Sequence, residues 1–533
     1  MKYLLGIDLG TTTAKALIVS SDGDIISSAT TEYPTYFPKA GWAEQNPEEW
    51  WDAARKVIRE ALSKAKILGS QIKGLSISSH RETIALLDEN GEVLDNAIIW
   101  MDRRSLPQTE WIKQNLDVSE IYRKTGLIVD PTFTATKLMW LKENKRTILD
   151  RAKYALQPKD YLIYRLTGKM TTDKSIASRT MLFDINKLEW SEELFEMFGL
   201  KKYMHIFPTA FNSDEEVGYV NKKAAQETEL NEGTLVIAGG GDRPCEVLGA
   251  GILDSTRVEE STGTGSTTSL TLDKPIIDPK MRVVTSVHVI RGKWALEAGM
   301  ATAGAVLRWF RDQFTREVNF LAKNTRRRAY EYLDMEAEYI PPGSNGLIVV
   351  PFFSGARAPR WNPYARGLIF GLTVYHTRAH IFRALMEGIA YEIRKLLDVL
   401  SELGFTITEL RVLGGGGKTP TWSRIKADVT GRRVIIPSYL DAALIGDVIL
   451  AGVGTSLFNS YEEGVRKLVK IKQIIEPNLE NKRLYDHYYR LYEEIIKRSQ
   501  DIYTEIGKIT EAPRKEIVWD IDRLIHLLFK LEE

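Results

Sequence analysis

A chain of 533 residues is too long for one hydrophobic core, because single cores rarely grow beyond about 250–300 residues, and two or more compact domains are expected. Its 72 lysines and arginines against 71 aspartates and glutamates leave a formal net charge of +1, which excludes recruitment to nucleic acid or an anionic membrane by bulk charge. The single cysteine, Cys245, excludes an internal disulfide and fits a reducing compartment.

In chain order, Tyr3–Leu9 is a short apolar run stopped by Gly10 and three threonines, with Asp8 too early for a signal-peptide apolar region. No later stretch reaches the roughly 18 apolar residues of a membrane span, so a cytoplasmic enzyme with no membrane and no nucleic-acid partner is expected. Ala14–Ser20 and Ile25–Ser28, joined through Asp22-Gly23, complete a β-meander. Glu48–Ala65 carries apolar residues at helical spacing after the entry Asn46-Pro47, and Lys73–Ser78 reads as a buried strand. A similar order returns later. Leu235–Ala238 is a strand ending in three glycines, Val258–Leu272 is two strands around a glycine-threonine turn, and Ile381–Leu403 is a long helix. Leu410–Leu413 is then a strand and Pro420–Thr430 a helix. The pattern predicts an α/β fold of two related lobes with a cleft between them, 1–252 and 253–500, followed by a helical tail over 501–533. Within the tail, Trp519–Leu531 has a helical apolar stripe that either packs on its own domain or makes an oligomer contact, so a homodimer stays open.

Three turns carry chemistry. In Gly6–Thr13 an aspartate ends a buried strand and precedes a glycine-threonine turn, whose N–H groups and hydroxyls suit phosphate while the carboxylate suits Mg²⁺. A plain hairpin with a capping aspartate would look the same. Ser261–Thr268 repeats the theme between strands. Gly414–Gly417 and Lys418 leave a strand and enter a helix whose start offers N–H donors. Val412 stands where a Walker A motif needs glycine, so a P-loop is excluded. Two further groups could bind an acceptor. Asp242, after Gly241, could take a proton from a hydroxyl or merely cap a turn. His80, Arg81 and Glu82 follow a strand, and the cation–carboxylate pair could hold vicinal hydroxyls or be a surface ion pair.

Taken together these segments resemble the FGGY carbohydrate kinases, which share the sugar-kinase and actin ATPase fold of two ribonuclease H-like lobes. The resemblance runs from Tyr3 to about Leu491. It includes Gly41–Gln45, Trp100-Met101-Asp102-Arg103-Arg104, Thr172-Asp173, Ala177–Phe183, and Gly367–Leu372 continuing through His380 to Glu387-Gly388, with Gly414–Gly417, Trp422 and Ala427-Asp428 as an adenosine motif. It implies ATP and Mg²⁺ as cofactors and Asp242 as the catalytic base. It implies ATP contacts from Gly10, Thr11, Thr12, Thr13, Lys15, Thr262, Gly263, Thr264, Gly265, Gly304, Gly414, Gly415, Gly416, Gly417 and Lys418, and metal contacts from Asp8 and Asp242. His80, Arg81, Glu82, Trp100, Thr132, Asp242 and Arg243 fall where the acceptor would lie.

The implied activity is ATP-dependent phosphorylation of a hydroxyl of a small sugar or polyol. Arg81-Glu82-Thr83 and Asp130–Lys137 lean toward glycerol kinases, but His80, Thr132 and Arg243 replace residues resembling glutamine, tyrosine and glutamine there. The smaller Thr132 predicts a wider pocket and a ketopentose acceptor, as in a xylulokinase, although xylulokinases resemble Met-His-Gly at 80–82. Glycerol, or another polyol or autoinducer-type acceptor, is the alternative. Arg243 suggests either an anionic acceptor or a pair with a protein carboxylate outside the pocket. A non-catalytic actin-like ATPase or a regulatory paralogue is the alternative of another class.

Overall fold

The computed structural model describes residues 2–509, the side chains of the last two excepted. The stripe Trp519–Leu531 and the linker before it therefore lie outside the described residues. The first sheet contains β1 (Tyr3–Leu9), β2 (Thr13–Ser20), β3 (Ile25–Glu32), β4 (Ile72–Ser79), β5 (Glu216–Tyr219) and β6 (Leu235–Gly241), ordered β5-β6-β4-β1-β2-β3. The second contains β7 (Arg257–Thr262), β8 (Ser266–Leu272), β9 (Val284–Val287), β10 (Trp294–Met300), β11 (Glu409–Gly414), β12 (Arg433–Pro437) and β13 (Ile471–Ile475), ordered β9-β10-β8-β7-β11-β12-β13.

One strand order underlies both. In the first sheet β3, β2 and β1 are antiparallel, and β4 and β6 add in parallel to β1. In the second β10, β8 and β7 are antiparallel, and β11 and β12 add in parallel to β7. This duplicated unit is the two-lobed, actin-like arrangement expected of the sequence. In both lobes the glycine-threonine turn joins the first two strands of the unit.

The local reasons are ordinary. Helix α1 (Pro47–Ala65) begins where the Asn46 side chain accepts from Glu48 N–H and proline occupies the first turn. Its buried face, which includes Trp50, Trp51, Val57 and Ile58, packs on the first sheet. Strand β3 runs four residues beyond the expected end, because its buried positions alternate with exposed ones through Ala29 while β2 supplies a partner as far as Glu32. The long helix spans Arg378–Glu402 rather than Ile381–Leu403, because Thr377 and His380 form a reciprocal cap three residues upstream. Pro420–Thr430 is helical as expected.

Two helices following equivalent parallel strands cross between the lobes: α2 (Asp242–Gly249) after β6, and α3 (Ala442–Gly454) after β12. A Cβ on Gly249 would lie 1.8 Å from the carbonyl oxygen of Ala442, so the helices meet at backbone distance only because glycine is there. Between Ile84 and Ile206 a separate apolar cluster, centred on Leu138, Phe195 and Leu194, supports the segment bearing Trp100, Asp130, Thr132 and Arg179. Among the described residues, no helix is long and apolar enough to cross a membrane.

Candidate active site

Two cavities open at the ends of these sheets. The first, about 250 Å³, is lined by all seven of the expected acceptor residues: His80, Arg81, Glu82, Trp100, Thr132, Asp242 and Arg243. Thr11, expected at the nucleotide, lines this cavity too, and its Oγ1 accepts from Trp100 Nε1 at 2.9 Å.

Asp242 is the first residue of α2, placed there by the glycine-rich end of β6. Its Oδ1 accepts from Arg243 N–H at 2.8 Å and lies 3.2 Å from Arg81 Nε, while the side chain keeps 31% exposure to the cavity. Burial raises its pKa above the ordinary carboxylate value, partly opposed by Arg81 and Arg243. Asp8, at the end of β1, accepts from Ser78 Oγ at 3.1 Å. Burial pushes its carboxyl up to about 7 despite Lys15, with Asp242 adding like-charge repulsion.

Arg81 and Glu82 do not pair with each other. Arg81 donates from Nη1 and Nη2 to Glu297 of β10 at 2.6 and 2.9 Å, and Glu82 accepts from Arg179 Nε at 2.5 Å. The cation and carboxylate adjacent in sequence diverge because Glu82 sits at φ 59°, a left-handed conformation that costs a non-glycine residue about 1–3 kcal/mol. Lys137, fully buried, holds that turn by donating to the carbonyls of Glu82 and Thr132. Burial brings its pKa down to about 7. Thr132 is oriented by Asp130, whose Oδ1 accepts from its N–H at 2.9 Å. His80 is 2% exposed, its Nδ1 lies 3.0 Å from Thr83 Oγ1, and burial lowers its pKa to about 3.

Arg243 donates to Glu246 Oε2 at 2.6 Å, and Glu246 Oε1 accepts from Ser261 Oγ at 2.7 Å. Arg243 thus pairs with a protein carboxylate while it lines the cavity.

The second cavity, about 390 Å³, is lined by Thr262, Gly263, Thr264, Gly304, Gly415 and Lys418 of the expected nucleotide residues, together with Trp422 and Asp334. Gly265, Gly414, Gly416 and Gly417 belong to the same turns without lining it, and Gly10, Thr12, Thr13 and Lys15 line neither cavity. Lys15 pairs with Asp441 at 2.5 Å. The β7–β8 turn is braced from below by Glu260, whose Oε1 accepts from Thr262 and Ser266 hydroxyls at 2.5 and 2.6 Å and whose other oxygen pairs with the buried Lys426. The same hairpin reaches the first cavity through Thr267, so it connects the two.

Sequence reasoning missed Arg179, Glu297, Arg357, Glu260 and Lys426. Glu297 lies 216 positions from Arg81 and sits in a strand with no local signature of function. A charged residue inside an otherwise apolar strand was the available signal.

Residues 3–249 match the N-terminal domain, and residues 260–455 the C-terminal domain, of the FGGY family of carbohydrate kinases. The chain belongs to that family. It is 36% identical over 510 residues to glycerol kinase 2 of Saccharolobus solfataricus, covering 93% of this chain and 97% of that protein. Among solved structures, xylulose kinase from Rhodospirillum rubrum superposes with a TM-score of 0.85 at 25% identity, over 94% of this chain and all of that one. Gluconate kinase from Lactobacillus acidophilus superposes at 0.87 and 26% identity, over 96% of this chain and all of that one. This FGGY protein is therefore an ATP-dependent carbohydrate kinase, a phosphotransferase acting on an alcohol group of a sugar or polyol.

Proposed function

We propose that this kinase transfers the γ-phosphoryl group of ATP to a terminal hydroxyl of a small polyhydroxylated acceptor of the glycerol kind, bound in the first cavity. The observation that carries the reading is one cavity lined together by Asp242, Arg81, Glu82 and Trp100. The identity to a glycerol kinase over nearly the whole chain favours this acceptor over the ketopentose that Thr132 first suggests. The ketopentose remains a second reading because the small side chain of Thr132 lines the cavity and because a xylulose kinase shares the fold.

In this reading Asp242 accepts the hydroxyl proton as the acceptor oxygen bonds to phosphorus, the bond from phosphorus to the bridging oxygen breaks, and ADP leaves with that electron pair. A raised pKa suits the role, since a base must hold the proton it takes. Arg81 and Glu82 fix the acceptor's other hydroxyls as donor and acceptor. The turns Gly10–Thr13 and Thr262–Gly265 would lie along the phosphates, with Gly414–Lys418 against the adenosine. Mg²⁺ fits the donor set: the buried Asp8 and the cavity-facing Asp242 are close enough to repel one another, a repulsion that a cation would relieve. Mg²⁺ keeps several waters and binds through one or two carboxylates plus phosphate oxygens, so these two aspartates would hold it, where it would neutralise phosphate charge.

The test is ADP release with Mg·ATP in the presence of glycerol, erythritol or D-xylulose, against a no-acceptor blank. Stimulation by one of them, lowered on the order of 10²–10⁴-fold in Asp242→Asn with ADP affinity retained, is the expected result. Turnover in Asp242→Asn near that of the parent would remove Asp242 from the mechanism, and silence with every acceptor would remove the reading.

A further inference from the structure

Helix α3 carries a carboxyl group, Asp447, at a position with no exposure to solvent, and Ser78 near the end of β4 is equally buried. The helix follows β12 of the second sheet but packs on β1 and β4 of the first. Its approach depends on Gly6 in β1, where a Cβ would lie 2.8 Å from the carbonyl oxygen of Leu444 and 3.1 Å from Cβ of Asp447. The close approach lines up three groups drawn from both lobes. Ser78 Oγ lies 2.7 Å from Asp447 Oδ2 and 3.1 Å from Asp8 Oδ1.

A serine hydroxyl has one proton, so it can donate to only one of two carboxyl groups at a time. Both contacts are hydrogen bonds only if one carboxyl group brings a proton of its own. Asp447 is that group. Among the described residues it makes no ion pair, and burial, then the charge of Asp8, hold its pKa well above the ordinary carboxylate value. Its Oδ1 has no hydrogen-bond partner, which a neutral acid tolerates at far less cost than a carboxylate. Asp8, by contrast, has the Lys15 cation acting on it. Its second oxygen, Oδ2, would lie 3.9 Å from a Cβ on Gly10, on the side of the glycine-threonine turn.

We propose that Asp447 is a positioning residue for the metal end of the site: as a carboxylic acid it donates to Ser78 Oγ, Ser78 donates to Asp8 Oδ1, and Asp8 Oδ2 is left beside the phosphate turn for Mg²⁺. This rests on Asp8 holding Mg²⁺, as in the reading above. It adds that the residue orienting Asp8 is carried by the helix of the other lobe, so the metal ligand of one lobe is set by the seating of the second.

The probe is Mn²⁺, a paramagnetic ion with the same preference for oxygen ligands, titrated into the ADP complex of the full chain and followed by electron paramagnetic resonance. ADP affinity without metal is measured separately by calorimetry. Asp8→Asn should abolish the metal binding of the parent. Asp447→Ala and Ser78→Ala should each raise the half-saturating Mn²⁺ concentration about tenfold or more, the cost of losing a group that orients a metal ligand, with metal-free ADP affinity within about threefold of the parent. Asp447→Asn keeps a neutral side chain with N–H donors and should bind Mn²⁺ nearly as the parent does. Combining Asp447→Ala with Ser78→Ala should cost no more than either alone, because both break one chain of hydrogen bonds. Parent-like Mn²⁺ affinity in Asp447→Ala, with Asp8→Asn inactive in binding, overturns the proposal and leaves the reading of Asp8 standing. Should Asp447→Ala not fold, parent-like affinity in Ser78→Ala overturns it in the same way. Equal losses in Asp447→Asn and Asp447→Ala overturn it too, since the donated hydrogen bond would then be irrelevant, and so does an equal fall in Mn²⁺ and metal-free ADP affinity, the mark of a purely structural role. Metal binding that survives Asp8→Asn removes Asp8 from the metal site and the proposal with it.

Discussion

Replacing Glu297 by glutamine keeps its shape and removes its charge. In the parent its side chain is 6% exposed, Arg81 holds both oxygens at 2.6 and 2.9 Å, and Arg179 stands 3.8 Å away. Burial alone would raise its pKa, yet the two arginines bring it down to about 2 from 4.5. A depression of that size corresponds to roughly 3 kcal/mol favouring the charged form, at about 1.4 kcal/mol per pH decade. Breaking a buried pair by removing one partner costs about 3–5 kcal/mol, which agrees. The pair joins the end of β4 to β10, so it ties the two lobes together at the acceptor cavity. Once released, Arg81 is free to lean further onto Asp242, whose Oδ1 is already 3.2 Å from its Nε. A closer cation makes that carboxylate a weaker base. Glu297→Gln should therefore lower kcat/KM for the acceptor about 10²-fold or more, with a lower urea midpoint, while ADP binding in the second cavity stays within threefold. Steady-state kinetics, urea denaturation and calorimetry with ADP read these separately. A variant within threefold of the parent in kcat/KM and with the same midpoint would refute the reasoning, because the pair would then hold neither the lobes nor Arg81.

His80 gives a pH test. Its folded pKa of about 3 lies below the unfolded value of about 6.5, so the unfolded chain binds the proton first as pH falls. The neutral imidazole's contribution is complete above pH 6.5 and is lost toward pH 3, at about 2 kcal/mol by pH 5. His80→Gln should remove about that much of the stability difference between pH 7.5 and pH 5 in urea titrations. An unchanged difference would mean that the folded state already accommodates the charge. Gly304→Ala probes the nucleotide turn, where a Cβ would lie 2.2 Å from the carbonyl oxygen of Gly263. Overpacking of this kind costs about 1–3 kcal/mol, so ADP affinity should fall about tenfold or more by calorimetry. Equal affinity would place the nucleotide elsewhere.

Much of the architecture is written locally. Short apolar runs and turn residues mark β1, β2 and β4, Asn46-Pro47 marks the start of α1, and Pro420–Thr430 is bounded by proline at its first turn and Gly431 after its end. The glycine-threonine turns and Asp242 stand out for the same reason: each is a short-range pattern whose chemistry is independent of distant partners. Glu82 is the instructive exception. Its neighbour Arg81 invites a sequence-adjacent pair, but the left-handed backbone at Glu82 sends the two charges to Arg179 and Glu297 instead.

The repeated strand–turn–strand unit, the loops at its strand ends and the family resemblance can be read along the chain, because each depends on spacing among a few residues. Which charges are paired, and with what, is fixed only on folding. Arg243 and Arg357 are indistinguishable as letters; one meets Glu246 a helical turn away, and among the described residues the other makes no ion pair. Charge balance in a cavity is a property of groups brought together from distant parts of the chain, so it exists only once the lobes have folded against each other.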